Sequence, residues 1–131
     1  MIIKMYYARL EREKGTEQAL SKHLEGVARR GLENLSQTAC FKPFSLHTLN
    51  DFCYWINFFH DLGKYTSYFQ LYLQAGKESE FKNHAHISAL YLYSFLQKKM
   101  GIEDFKLEDN ALVFIAYLCV RFHHGNLDMK R

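Results

Sequence analysis

Large apolar residues crowd together at Phe52, Tyr54, Trp55, Ile56, Phe58 and Phe59, and the run breaks off at His60-Asp61-Leu62-Gly63-Lys64. Spacings of three and four predict a buried helix there, with Asn50 or Asp51 as N-cap and Gly63 as the C-terminal stop. Upstream, Leu20, Leu24, Val27 and Leu32 recur on one face of a helix expected to start at a Thr16 cap and run through Leu35. His23 follows Leu20 by three positions and precedes Val27 by four, which turns its ring toward the core side.

Downstream, Tyr65 to Gln74 predicts a short aromatic-rich helix closed by Gly76. Asn83 or a neighbour opens a helix to about Met100, with Ala85, Ala89, Leu92 and Leu96 on one stripe, His84 and His86 in the first turn, and Gly101 as the stop. A last helix begins near Asp109 or Asn110 and runs through Leu112, Ile115, Ala116, Leu118 and Cys119 to Phe122, with Gly125 closing it. His123 and His124 lie at its end. Met1 to Leu10 alternates weakly and reads as a short strand or an extended lead-in. Residues 36–50, which hold the only proline, Pro43, read as a connection, and 77–82 as a charged loop. His47, in that connection, is assigned no role. With no repeats or low-complexity segments, the expectation is an all-α helical bundle whose histidines gather at helix ends.

Length and composition narrow the class. A chain of 131 residues and 15.5 kDa is expected to form a single domain, and one of this size buries roughly two-thirds of its unfolded surface. Cys40, Cys53 and Cys119 are odd in number and contain no Cys-x-x-Cys, which predicts reduced core thiols in a cytosolic protein and not a disulfide framework or a zinc knuckle. The apolar run at Met1 to Leu10 is broken by Lys4 and Arg9, and nothing approaches the ~18 residues a membrane span needs. A soluble, cytoplasmic protein is expected. The net charge of +3 tolerates an anionic partner without demanding one. Arg29, Arg30, Lys98, Lys99, Lys130 and Arg131 are scattered pairs, read as solvated helix faces.

The chemistry concentrates in one set of residues. His60 and Asp61 sit where a core helix ends, and a buried carboxylate must be paired, hydrogen-bonded or bound to a cation. A single histidine on an apolar face is ordinarily a packed core residue. Here His23, His60, His84 or His86, His123 and His124 all fall where helices can converge. Imidazole and carboxylate suit first-row transition metals. The ligands are too many for one tetrahedral ion, so two ions are expected, with Asp61 as the bridge because a carboxylate can offer one oxygen to each.

This arrangement resembles the HD superfamily of metal-dependent phosphohydrolases, and within it the HD nuclease domain of CRISPR type I helicase-nucleases. The residues that carry the resemblance are Ser21-Lys22-His23-Leu24, His60-Asp61-Leu62-Gly63-Lys64, Lys82-Asn83-His84-Ala85-His86-Ile87-Ser88-Ala89 and His123-His124-Gly125. Tyr7-Ala8 also looks like the start of those domains. The elements occur in order over nearly the whole chain. His-Asp-x-Gly-Lys marks only the superfamily, while His-x-x-x-Ser-Ala and His-His-Gly point to the CRISPR branch.

The resemblance implies that His23, His60 and Asp61 face one metal and that Asp61, His84, His123 and His124 face the other. His84 is preferred to His86 because it stands four residues before Ser88-Ala89, although Ala85 replaces the serine usual after this histidine. Asp61 and Lys64 take the catalytic roles, with Lys64 meeting substrate phosphate. The implied cofactors are one or two divalent ions, nickel, manganese, cobalt or iron, with magnesium as a further option. The implied function is metal-dependent endonucleolytic hydrolysis of single-stranded DNA in CRISPR interference, an antiviral defence, in partnership with a helicase and a guide-RNA surveillance complex. Tyr65, Tyr68 and Phe69 either stack on bases or pack in the core.

One departure bears on activity. The family carries a further aspartate on a later helix, whereas here only Asp128 follows, four residues after His124. The chain therefore looks like a C-terminally shortened domain whose His23-His60-Asp61 site holds metal weakly. The alternatives are an HD phosphohydrolase of nucleotides or cyclic dinucleotides, and a truncated fragment that binds metal or a helicase without cleaving.

Overall fold

The computed structural model describes residues 5–36, 44–78, 83–101 and 107–125. Cys40 and Pro43, residues 79–82 of the charged loop, and Asp128, Lys130 and Arg131 lie outside them. The chain is mostly helical, with one small antiparallel hairpin.

Strand β1 (Tyr7–Glu11) is the extended segment allowed for near the N-terminus. After a 3-10 turn at Arg12–Lys14, Gly15 takes a left-handed φ of 62° and folds the chain back. Residues Thr16–Ala19 then form β2, pairing Glu11 with Thr16 and Arg9 with Gln18. The expected helix start at Thr16 is thus corrected: α1 spans Leu20–Ser36. Its buried stripe is Leu20, Leu24 and Ala28, at spacing four, with Val27 and Leu32 only half-buried beside it.

Helix α2 (Leu46–Phe59) begins earlier than an Asn50 or Asp51 cap implies, because Ser45 is the N-cap and its Oγ accepts from the Thr48 N–H at 3.1 Å. Helices α1 and α2 pack closely at Gly31, where a Cβ would lie 2.4 Å from Asn57 Nδ2. The chain leaves α2 through His60 and Asp61 into a 3-10 turn, Leu62–Tyr65. Gly63 is not the left-handed stop expected of it; φ is positive only at Gly15, Gly76 and Gly101 among the described residues. Its lack of a side chain serves a close approach, since a Cβ there would lie 2.3 Å from the carbonyl oxygen of His84.

Helix α3 (Ser67–Ala75) is capped by Thr66 and closed by Gly76. Helix α4 (His84–Met100) starts at an Asn83 cap and stops at Gly101, whose N–H reaches the Gln97 and Lys98 carbonyls. Helix α5 spans Leu107–Arg121. Phe52, Phe59, Ala89, Leu92, Leu96, Val113, Ala116 and Val120 form the main core, with Trp55 and Phe95 against it. Burying a side chain such as Leu92 contributes about 1.5–3 kcal/mol, so this cluster holds α2, α4 and α5 together. The expected core thiols are corrected: Cys53 is half-buried, its Sγ 3.5 Å from Asn57 Nδ2, and Cys119 is exposed. Among the described residues no helix is long and apolar enough to cross a membrane.

Candidate metal centre

Four segments of chain deliver their histidines to one buried carboxylate. Asp61, 3% exposed, stands just past the end of α2. His23 lies in the first turn of α1, anchored by buried Leu20 and Leu24 on either side, and its Nε2 is 3.1 Å from Asp61 Oδ2. His60, the C-cap of α2, brings its Nε2 to 3.3 Å from the same oxygen. His84, the first residue of α4, places its Nε2 2.9 Å from Oδ1. His123 and His124, just beyond α5, reach Oδ1 at 3.1 and 3.7 Å. Lys64 Nζ approaches Oδ2 at 2.7 Å.

The backbone explains why the segments meet. The Gly63 N–H donates to the buried Ser88 Oγ at 2.8 Å, pinning the turn after Asp61 to α4. With no Cβ at Gly63, the first turn of α4 sits against that turn and carries His84 to the carboxylate. Gln70, wholly buried on α3, ties in the hairpin: its Oε1 accepts from the Tyr7 N–H, and its Nε2 donates to the Tyr7 and Lys64 carbonyls at 2.9 and 2.8 Å.

Two rings have their tautomer fixed. The Nδ1 atoms of His60 and His123 each lie 2.6 Å from the carbonyl oxygen three residues earlier, Asn57 and Val120. A carbonyl only accepts, so Nδ1 carries the proton in both. In the protonated ring Nε2–H then donates to the carboxylate oxygen; in the neutral ring the Nε2 lone pair faces that oxygen, a contact that a bound cation would bridge. The Nε2 atoms of His84 and His124 lie 2.9 Å apart, within hydrogen-bond distance, with the donor set by which ring carries the proton there. Orienting a metal-ligating histidine through its other nitrogen is the usual outer support of such sites.

Burial alone would raise the Asp61 carboxyl, but hydrogen bonds from His123, His60, His84 and Lys64 outweigh it and hold the group far below the usual carboxylate range. Burial also opposes charge on His123, yet the bonds to Asp61 and the Val120 carbonyl prevail and raise its pKa. His23 is lowered, chiefly by burial against the pull of Asp61. His124 is lowered by burial and by the neighbouring imidazoles.

Two groups could each hold a metal ion: Asp61 with His84, His123 and His124, and Asp61 with His23 and His60. Within each, the donor atoms lie within 4.8 Å of one another. His86 and His47 are exposed and belong to neither group, while Asp128 lies outside the described residues. Of the aromatic residues weighed for base stacking, Tyr65 and Tyr68 are exposed and Phe69 is core. Sequence reasoning missed Gln70, whose signal was a glutamine between Phe69 and Leu71 in an apolar helix. It also missed the carbonyls of Asn57 and Val120, which take up His60, one residue past α2, and His123, two residues past α5.

No protein-family model, curated protein or solved structure matches the chain.

Proposed function

We propose that this chain is a metal-dependent HD-type nuclease that hydrolyses phosphodiester bonds of single-stranded DNA in CRISPR interference, working with a helicase and a guide-RNA surveillance complex. The observation that carries the metal-dependent part is the division of Asp61: Oδ2 faces His23 and His60, and Oδ1 faces His84, His123 and His124. One carboxylate with an imidazole set on each oxygen fits a bridging ligand between two divalent ions, and the oriented Nε2 lone pairs fit the same purpose. Nitrogen and oxygen donors without thiolate favour nickel, manganese, cobalt or iron over softer ions, with magnesium possible only through added water. Such a pair of ions supplies Lewis acidity, lowering the pKa of water and offsetting charge on a phosphate.

The rest falls to side chains of this chain. Asp61 sets the spacing of the two sites. His60 and His123, held by the Asn57 and Val120 carbonyls, keep their donor atoms aimed inward without rearrangement. Lys64, largely sheltered, offers a positive charge to the phosphate. Tyr65 and Tyr68, exposed beside that lysine in the chain, present faces on which an unpaired base can stack. The choice of DNA and of CRISPR partners rests on the sequence resemblance.

Circular single-stranded DNA, a panel of nucleotides and a panel of cyclic dinucleotides, each with the purified protein and one of the five metals, test the proposal. The expected outcome is nicking of the circle with the small molecules unchanged, lost in Asp61→Ala and kept in His86→Ala. Hydrolysis of nucleotides or cyclic dinucleotides with an intact circle would transfer the site to those substrates. Metal uptake with no turnover of any substrate would make the chain a binding domain.

A further inference from the structure

The two oxygens of Asp61 stand in different electrostatic surroundings. Lys64 Nζ is 2.7 Å from Oδ2, nearer than His23 Nε2 at 3.1 Å or His60 Nε2 at 3.3 Å. The lysine side chain is 13% exposed, packed 5.5 Å from the Phe69 ring centroid, with Nζ 3.5 Å from the Ala8 carbonyl. Around Oδ1, among the described residues, the partners are imidazoles alone. One side of the carboxylate therefore has a lysine ammonium against it, and the other has imidazoles alone.

On the strength of the two-site reading above, we infer that the Lys64 ammonium is the resident cation of the His23–His60 side. The centre then takes a first divalent ion at Asp61, His84, His123 and His124. It takes a second only when Lys64 is drawn off Oδ2. A second divalent ion bound with the lysine in place would bring an ammonium and a doubly charged cation onto one oxygen within a few ångströms, in a sheltered site where water and salt screen them weakly. A phosphate brought to the His23–His60 side is the natural partner to receive the ammonium. Loading of the second ion is thereby tied to arrival of a phosphate-bearing ligand. The same lysine that orients substrate keeps the centre half-loaded until substrate comes.

Equilibrium dialysis of the whole chain against graded Mn2+, read by metal content and by electron paramagnetic resonance, tests this. Wild type is expected to hold one Mn2+ with the spectrum of an isolated ion, at concentrations where Lys64→Met holds two with an exchange-coupled spectrum. Repulsion of this kind should separate the two binding constants of wild type by at least about tenfold, and the substitution should close most of that gap. Two ions of equal affinity in wild type, or the same gap in Lys64→Met, would overturn the inference and leave the metal centre standing. No uptake by either protein would instead remove the reading on which it rests.

A second measurement needs no substitution. Acetylation of wild type, followed by mass spectrometry, should find Lys64 protected at one bound Mn2+ and modified at two. Equal modification in both states would count against displacement of the lysine.

Discussion

Asp61 concentrates the electrostatics of this protein in a single side chain. Its carboxyl is held ionised by neighbours that are themselves titratable, so the metal-free centre must store protons unevenly. His23 lies below the ordinary histidine value of 6.5 because burial resists its charge, and His123 lies above it because Asp61 and Val120 favour it. With fewer protons on folded than on unfolded His23 just below pH 6.5, that residue makes metal-free stability rise with pH there. His123 contributes stability below pH 6.5 that is lost as pH climbs through its raised value. Urea unfolding across pH should therefore show a flatter acid limb in His23→Gln and a flatter limb above pH 6.5 in His123→Gln. Unchanged limbs would mean that burial does not hold His23 down and that Asp61 and Val120 do not hold His123 up.

Gly63 makes a second prediction at this scale. A methyl group there meets the backbone of His84 at 2.3 Å, which no rotamer change relieves. Gly63→Ala should cost about 1–3 kcal/mol and, by displacing His84, weaken metal binding as well. Gly26→Ala is the control, because nothing lies within 4 Å of its Cβ position on α1 and an interior helical alanine gains about 1 kcal/mol over glycine. Thermal melts and metal calorimetry on both variants read the difference.

Among the elements, helices with local signals were legible and the hairpin was not. Asn83, Gly76 and Gly101 mark their helix ends by short-range chemistry, a cap hydrogen bond or a left-handed φ. Strand β2 has the polar sequence Thr-Glu-Gln-Ala and owes its shape to pairing with β1, so a helical pattern starting at Leu20 extended falsely back to Thr16. Helix α2 was read short because Leu46 to Leu49 offers little apolar rhythm, whereas Ser45 caps it all the same. The same logic hid the Gln70 clamp: its partners, Tyr7 and Lys64, are 63 and 6 residues away. Gln70→Leu should leave the Lys64 carbonyl and both backbone groups of Tyr7 without this partner, at a cost of about 1–3 kcal/mol. Denaturant titration checks it. A neutral result would mean that the hairpin docks without the clamp.

For the molecule as a whole, the histidine positions were readable because helix ends are where side chains from different segments can meet. Their convergence into two groups around Asp61 was expected from the resemblance, whereas the contacts that produce it, through Gly63, Ser88 and the α2–α4–α5 core, were not readable. Two adjacent-residue pairs, His60-Asp61 and His123-His124, stand past helix ends that this core brings side by side. An ion bound there should stabilise the fold by mass action, about 2.7 kcal/mol at a hundredfold excess over its dissociation constant.

Anomalous X-ray diffraction at the manganese edge, on crystals equilibrated with Mn2+, examines the centre most directly. The account predicts a peak within coordination distance of Asp61 Oδ1 and the Nε2 atoms of His84, His123 and His124. A map with no peak beside Asp61, or with manganese bound only at other positions, would contradict it.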